Sequence, residues 1–372
     1  MACISKRRGK FVVDYRDAVG VRRWISCDTR RQAEDVLAEK LRESRQTARP
    51  TVDVDLTVTA YAERWLQLVA SSLKPRTLQS YSQTLRLHLL PVFGATRVSQ
   101  LHKSWIRSFL AEKLASGLAR NSVRIMHATL RAMLNAAMDD GILLSNPADK
   151  LGRHLRLNGS SADRQEQVKA MTREQLGRFL DATARTQPEL HPFFFTLART
   201  GMRLGEAFAL RFEDCDFAAR EIQVTRALSA GEIATPKSGK GRTIDMSLAL
   251  RDVLQRLHAG RQAEALAAGQ EPGGWVFVTR AGGPLDQSRM AKIFKRVLKA
   301  AGLAPHFTPH CLRHTFASLL LQQGESPVYV QRQLGHASIQ LTVDTYGKWL
   351  PIGNKAAVDR LDEPSAAAAA NA

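Results

Sequence analysis

Acidic residues are scarce in this 372-residue chain: 35 Asp and Glu stand against 54 Lys and Arg, a formal net charge of +19. Such an excess costs self-repulsion, which a polyanionic partner relieves. Nucleic acid is the first candidate and an anionic membrane surface the second. Long apolar runs are lacking too. None approaches the length of a membrane span, and the basic stretch Met1 to Lys10 has no apolar segment behind it, so neither a spanning helix nor a secretory signal is expected. Cysteine is sparse. Cys3, Cys27, Cys215 and Cys311 have a spacing that suits neither a zinc site nor a disulfide framework, and the reducing cytoplasm is the expected setting. Internal repeats are absent as well.

What is present is enough apolar residue, 44% of the chain, for sizeable cores, at a length that predicts two or three domains. Residues 1–48 read as a small basic unit. It has strand signals at Phe11 to Tyr15 and Val21 to Ile25, then a helix capped by Asp28 or Thr29 and running to about Leu41. Arg45 to Asp53, polar and holding Pro50, reads as a linker. Residues 54–150 read as helical. Leu56 to Val69 suits one helix, Leu78 to Leu89 a second that Pro91 ends, Trp105 to Leu110 a third, and Val123 to Ala137 a fourth that Gly141 stops. On the fourth, Arg120, Arg124, His127 and Arg131 form a stripe, either a solvated face or a track for a phosphate backbone.

A second linker is placed at 151–170, centred on the polar run Asn158 to Gln167. A mixed α and β domain follows over 171–352, opened by a capping box at Thr172 and Gln175. Strands are expected at Glu221 to Thr225, Arg242 to Met246 and Trp275 to Thr279. Residues 353–372 form a tail ending in an alanine run. The fold class is α+β and mainly helical: an N-terminal ββ(β)α module, a helical domain and a mixed catalytic domain.

Four stretches of the third domain carry chemistry. In Thr200 to Glu206, Thr200 is placed as an N-cap, with Arg203 in the first turn and Glu206 one turn on to orient it. In Pro236 to Arg242, Lys237 sits near the tip of a tight turn, where a long amine can reach a ligand; Lys240 shares the loop. Thr308-Pro309-His310-Cys311-Leu312-Arg313-His314 reads as N-cap, proline at the first helical position, and a helix to Gly324. His310 and Arg313 share a face there, and His314 has the character of a satisfied core histidine. The i,i+4 histidines lack the glutamate of a zinc-protease motif. Last, a helix from Ser326-Pro327 to Leu334 stops at Gly335, followed by His336 and Tyr346.

Each stretch alone is an ordinary surface pair, basic turn or half-buried aromatic. Together, Arg203, Lys237, His310, Arg313, His336 and Tyr346 are what phosphoryl transfer to a tyrosine requires. Two arginines can hold nonbridging oxygens and stabilise developing charge. A phenol, with a pKa of about 10, needs a base and an activated phosphate. A lysine can protonate a leaving alkoxide. With cationic side chains supplying the charge, no cofactor or metal is required.

The order Arg, Lys, His-x-x-Arg, His, Tyr resembles the tyrosine recombinase and phage integrase family. The stretches that carry it are TGMRLGEAFALRFEDCDF, PKSGKGRTIDM, TPHCLRHTFASLLLQQG and LGHASIQLTVDTYGKWLP. The helical region is similar to the family's core-site-binding domain, and the first unit, more weakly, to the arm-site-binding domains of longer integrases. The resemblance implies the roles. Arg203 and Arg313 would activate the scissile phosphate, and Lys237 would protonate the leaving 5′ hydroxyl. His310 would accept the tyrosine proton, His336 would donate to the phosphate, and Tyr346 would form a 3′-phosphotyrosyl bond. Exchange would pass through a Holliday junction in a homotetramer, integrating or excising a phage or other mobile element. The implied partners are double-stranded DNA at core and arm sites and accessory DNA-bending or directionality proteins, with no membrane. A type IB topoisomerase and a non-cutting DNA-binding regulator are the alternative readings.

Overall fold

The computed structural model describes residues 3–7, 9–16, 22–47, 56–157, 159, 161–229, 231–236, 239–271, 273–279, 282–351, 353–359 and 361–362. The chain divides into two compact units, Met1–Asn158 and Gly159–Ala372.

The first unit opens with an antiparallel sheet, β1 (Cys3–Arg7), β2 (Lys10–Arg16) and β3 (Arg22–Cys27), with β2 in the middle. The strand β1 is the optional third strand of the ββ(β)α expectation; with Ile4 as its one large apolar residue it carries little hydrophobic signal. Helix α1 (Arg30–Thr47) follows, entered through a reciprocal cap: the Gln32 N–H donates to Thr29 Oγ1 and the Thr29 N–H to Gln32 Oε1, both at 3.3 Å. Val13, Cys27 and Ala33 form its small core.

The helical part of this unit comprises α2 (Val58–Ala70), α3 (Pro75–Thr84), α4 (Leu90–Phe93), α5 (Lys103–Ala115), α6 (Arg120–Asp139) and α7 (Leu151–His154). Pro91 does not end the second helix. The path widens into a π-helical turn at Leu85–Leu89 and continues through Phe93, with Pro91 in the first turn of α4. The wider turn accommodates a ring that lacks an N–H and would clash with a regular α-helical carbonyl. Tyr61, Leu89, Ile106, Leu110, Met126, Leu130 and Met133 are among the fully buried residues between these helices. The basic stripe on α6 is partly spent within the unit. Arg120 donates to Arg156 O at 3.0 Å, His127 Nε2 lies 2.8 Å from Ala148 O, and Arg131 meets Asp149 at 2.6 Å. These contacts tie the segment after α6 back onto it.

The second unit begins with α8 (Ser161–Gln167), a helix where the polar composition marks only a linker. It has no apolar stripe of its own and leans on tertiary contacts: the Gln165 side chain donates to Val343 O at 3.3 Å. Helix α9 (Arg173–Thr186) has the expected capping box, then come α10 (His191–Thr200) and α11 (Leu204–Phe208). The antiparallel sheet β4 (Cys215–Asp216), β5 (Glu221–Val224) and β8 (Arg242–Asp245) is interrupted by a separate hairpin, β6 (Ala227–Ser229) with β7 (Glu232–Ala234). Trp275 to Thr279 is not a strand of that sheet. It forms only isolated bridges, Trp275 with Arg211 and Val278 with Pro284, so β4 is the third strand instead.

Helices α12 (Leu248–Ala267), α13 (Gln287–Ala300), α14 (Pro309–Gln322), α15 (Pro327–Leu334), α16 (Ile339–Tyr346) and α17 (Lys355–Asp359) complete the unit. Side-chain caps at Ser247, Asp286, Ser326 and Ser338 satisfy first-turn N–H groups of α12, α13, α15 and α16. Phe179, Phe193, Phe194 and Phe294 pack in the main core, the Phe179 and Phe294 rings 4.6 Å apart. A satellite core of Ala317, Leu321, Val330 and Leu334 surrounds Tyr346. Beyond it, Val358 and Leu361 are exposed. The side chains of Ala356 and Ala357, and the terminal alanine run, lie outside the described residues.

Candidate active site

The site is assembled where three helix ends meet. Helix α10 ends at Thr200 with Gly201 in the left-handed region at φ +60°, and α15 ends at Leu334 with Gly335 at φ +64°. Only glycine adopts such a turn without cost. Arg313, in the first turns of α14 and 3% exposed, spans the two ends. Its Nη1 donates to Gly201 O and its Nη2 to Leu334 O, each at 2.7 Å. The negative ends of two helices thus stabilise a buried guanidinium that has no carboxylate bonded to it. Burial pushes its pKa down to about 9, with the like charge of Arg203 adding to the effect, so it stays cationic at neutral pH.

Thr200 does not cap the helix that carries Arg203. Helix α10 runs through Thr200, whose hydroxyl donates to Thr196 O at 2.6 Å, and Arg203 itself is the N-cap of α11. Glu206 closes a reciprocal contact one turn on. Its Oε2 accepts the Arg203 N–H at 2.8 Å and its Oε1 accepts from Arg203 Nη1 at 2.9 Å. Glu206 is 1% exposed. Burial pushes its carboxyl up, but the hydrogen bonds and charge of Arg242, with those of Arg203, outweigh this and hold it below the ordinary range.

Tyr346 ends α16 and is 1% exposed. Its hydroxyl lies 2.9 Å from His314 Nδ1. Burial pushes the phenol up to about 12, while the charges of Arg313 and Arg203 pull it the other way. The His336 ring lies parallel to the tyrosine ring, 6.1 Å between centroids, and its Nδ1 is 2.8 Å from Thr342 Oγ1. That contact leaves Nε2 to face a ligand. Burial, aided by nearby cations, pushes both His314 and His336 down to about 3, so both are neutral at physiological pH.

Five of the six residues singled out from the sequence can be placed. Arg203, Arg313, His336 and Tyr346 converge. His310 is exposed and packs edge-on to His314, centroids 4.7 Å apart, on the rim of a cleft of about 420 Å³ that includes Lys295 and Phe307. Lys237 lies outside the described residues. The expectation that His310 takes the tyrosine proton meets a different geometry, because His314 holds the phenol here and the helical twist turns His310 outward. His314 is a satisfied, mostly buried histidine, and its partner is the tyrosine hydroxyl. Sequence reading also missed Thr342 and Arg242. Arg242 shares a face of β8 with buried Ile244, so a charge on the inward face of a strand was the available signal. Among the described residues there is no cluster of His, Cys, Asp or Glu that could hold a metal ion, and no helix long and apolar enough to cross a membrane.

Comparison with known proteins bears on the family and the fold. The sequence matches the phage integrase family over residues 169–349 and the phage integrase N-terminal SAM-like domain over residues 57–114. It is 25% identical over 332 residues to a XerC-like tyrosine recombinase of Caldanaerobacter subterraneus subsp. tengcongensis, covering 83% of each chain. It is 25% identical to the ICEBs1 integrase of Bacillus subtilis, covering 90% of each, and 28% identical to an integrase of Streptomyces ambofaciens, covering 86% of this chain and 83% of that one. In fold it is similar to the Tn1549 transposon integrase in complex with transposon right end DNA, at TM-score 0.69, 22% identity and coverage of 83% and 100%. It is also similar to a lambda integrase tetramer bound to a Holliday junction, at TM-score 0.60, 20% identity and coverage of 90% and 95%. The chain belongs to the phage integrase family of tyrosine site-specific DNA recombinases.

Proposed function

We propose that this chain cuts and rejoins DNA through a covalent bond between Tyr346 and a 3′ phosphate, exchanging strands between the ends of a mobile element and its target. The observation that carries the reading is the geometry around Tyr346: its ring lies parallel to that of His336, and the helix end before His336 is held by Arg313 and by Arg242, which also binds the Glu206 that orients Arg203. Arg313 keeps donors beyond the two that its carbonyl partners use. Two fixed cations on the nonbridging oxygens stabilise the charge that develops as the phenol attacks. The neutral His336 has an Nε2 that can donate a third hydrogen bond to the same phosphate. Lys237 is assigned the proton for the leaving 5′ hydroxyl, and His310 a place beside the phosphate from the rim of its cleft. The phosphotyrosyl bond conserves the energy of the phosphodiester, so rejoining draws on no nucleotide.

The phenol is covered in this state, so cleavage requires it to leave His314 and meet the phosphate. Neutral His314 is suited to holding the hydroxyl until then. By analogy with the lambda integrase tetramer on a Holliday junction, the working assembly is a tetramer of this chain on DNA. Residues 1–48 are assigned to arm sites and 54–150 to core sites, with DNA-bending or directionality proteins as further partners.

A nicked suicide substrate tests the reading. Wild-type protein should accumulate a covalent adduct and Tyr346→Phe none, and sequencing the trapped fragments gives the cut site and stagger. An adduct that persists in Tyr346→Phe assigns the nucleophile elsewhere. Noncovalent binding of DNA by the wild type, with no adduct, favours the regulator instead.

A further inference from the structure

A third arginine lies beneath the two assigned to the phosphate. Arg242, on β8, is 8% exposed at its side chain and takes both oxygens of Glu206: Nη1 donates to Oε1 at 3.0 Å and Nη2 to Oε2 at 2.7 Å. Its Nε donates to Gln333 O at 2.8 Å. Arg242 therefore binds the carboxylate that orients Arg203 and the carbonyl next to the one held by Arg313. The corner that leads to His336 is built against it, since a Cβ on Gly335 would lie 2.7 Å from Arg242 Cδ. Gln333 is itself fixed, its Oε1 accepting the Asp245 N–H at 3.0 Å.

The charge count gives this geometry a consequence. Arg203 and Arg242 share one buried carboxylate, Glu206, while Arg313 is held by two carbonyls. Paired with Arg203 alone, Glu206 would cancel the charge that the phosphate needs. Paired side-on with Arg242, it is already neutralised and can hold Arg203 in place by hydrogen bonds while leaving its field largely intact.

We propose that Arg242 is a positioning residue that satisfies Glu206, so that Arg203 keeps its charge for the scissile phosphate, and that fixes the Gly335–His336 corner. The proposal rests on the reading of Arg203 and Tyr346 given above. It acts through Arg203 and His336 and touches no reacting atom.

The test measures single-turnover adduct formation by the full-length protein on a suicide substrate, with either an ordinary or a methylphosphonate linkage at the cut site. The methylphosphonate is uncharged, so it depends less on Arg203. Arg242→Gln should slow the ordinary substrate about 10²-fold, by analogy with the loss of a preorganised electrostatic donor. The deficit should shrink to less than about tenfold on the methylphosphonate. Adding Glu206→Gln should recover at least about tenfold on the ordinary substrate, because no carboxylate then remains to cancel Arg203. Arg242→Lys should fall between wild type and Arg242→Gln, and it carries the comparison should the glutamine variant fail to melt cooperatively. Equal deficits on both substrates with no recovery in the double variant would mean that Arg242 only supports the fold. Wild-type rates in Arg242→Gln would also overturn the proposal. A wild-type protein that forms no adduct, or a Tyr346→Phe variant that does, removes the underlying reading of the site and this proposal with it.

Discussion

Replacing Arg313 by methionine should nearly abolish cleavage while leaving the fold about as stable as before. The side chain is 3% exposed and makes two charge-assisted hydrogen bonds, to Gly201 O and Leu334 O. Losing them costs about 3–6 kcal/mol at about 1.5–3 kcal/mol each. Against this stands the cost of keeping the cation buried. Burial pushes its pKa well down, to about 9. At about 1.4 kcal/mol per unit, the charged form is disfavoured by about 5 kcal/mol, and methionine removes that penalty. The two terms cancel to within a few kcal/mol, and methionine fills much of the same volume. Catalysis has no such compensation, because one oxyanion donor is worth about 10²–10³ in rate. The assay pairs urea unfolding with single-turnover adduct formation. A variant that unfolds yet retains wild-type cleavage per folded molecule would refute the reasoning, since Arg313 would then be a structural strut and nothing more.

Other consequences follow from the same geometry. His314 and His336 have folded pKa values of about 3 against an ordinary 6.5, so the unfolded chain takes up protons that the folded chain refuses. Their contribution to stability is complete above about pH 6.5 and is lost as pH falls toward about 3. Melting temperature should drop across that window, and His314→Gln should flatten the drop; an identical slope in the variant argues against the assignment. Gly201→Ala should destabilise by about 2–4 kcal/mol in denaturant unfolding, since a non-glycine residue resists a left-handed turn. Its Cβ would also meet Phe316 Cδ1 at 2.5 Å and Leu334 Cδ2 at 2.8 Å. A neutral result would show that this helix end is not rigid. Deleting the residues before about Asp53 should weaken binding to arm sites in gel-shift assays and spare core-site cleavage. Equal loss at both site classes would contradict that division.

Much of this site was legible because its residues sit next to strong local signals. Thr308-Pro309 announces the helix of Arg313, and Ser326-Pro327 with Gly335 brackets the helix before His336, so cap chemistry alone locates the ends that converge. Illegible were the contacts that depend on helix rotation. His310 and His314 are equally good imidazoles one turn apart, and only packing decides that His314 faces Tyr346 while His310 faces outward. The N-cap at Arg203 rather than Thr200 was hidden for a similar reason: Gly201 ends one helix two residues before the next begins, and threonine suits either role. Helix α8 escaped because it carries no apolar period and is held by a neighbour distant in sequence, Val343.

The most direct test of the central claim is mass spectrometry of the nuclease-trimmed adduct from a suicide substrate. The account predicts a nucleotide attached through its 3′ phosphate to the peptide containing Tyr346, with a free 5′ hydroxyl on the released strand. A linkage to another residue such as Tyr329, or attachment through a 5′ phosphate, would contradict it.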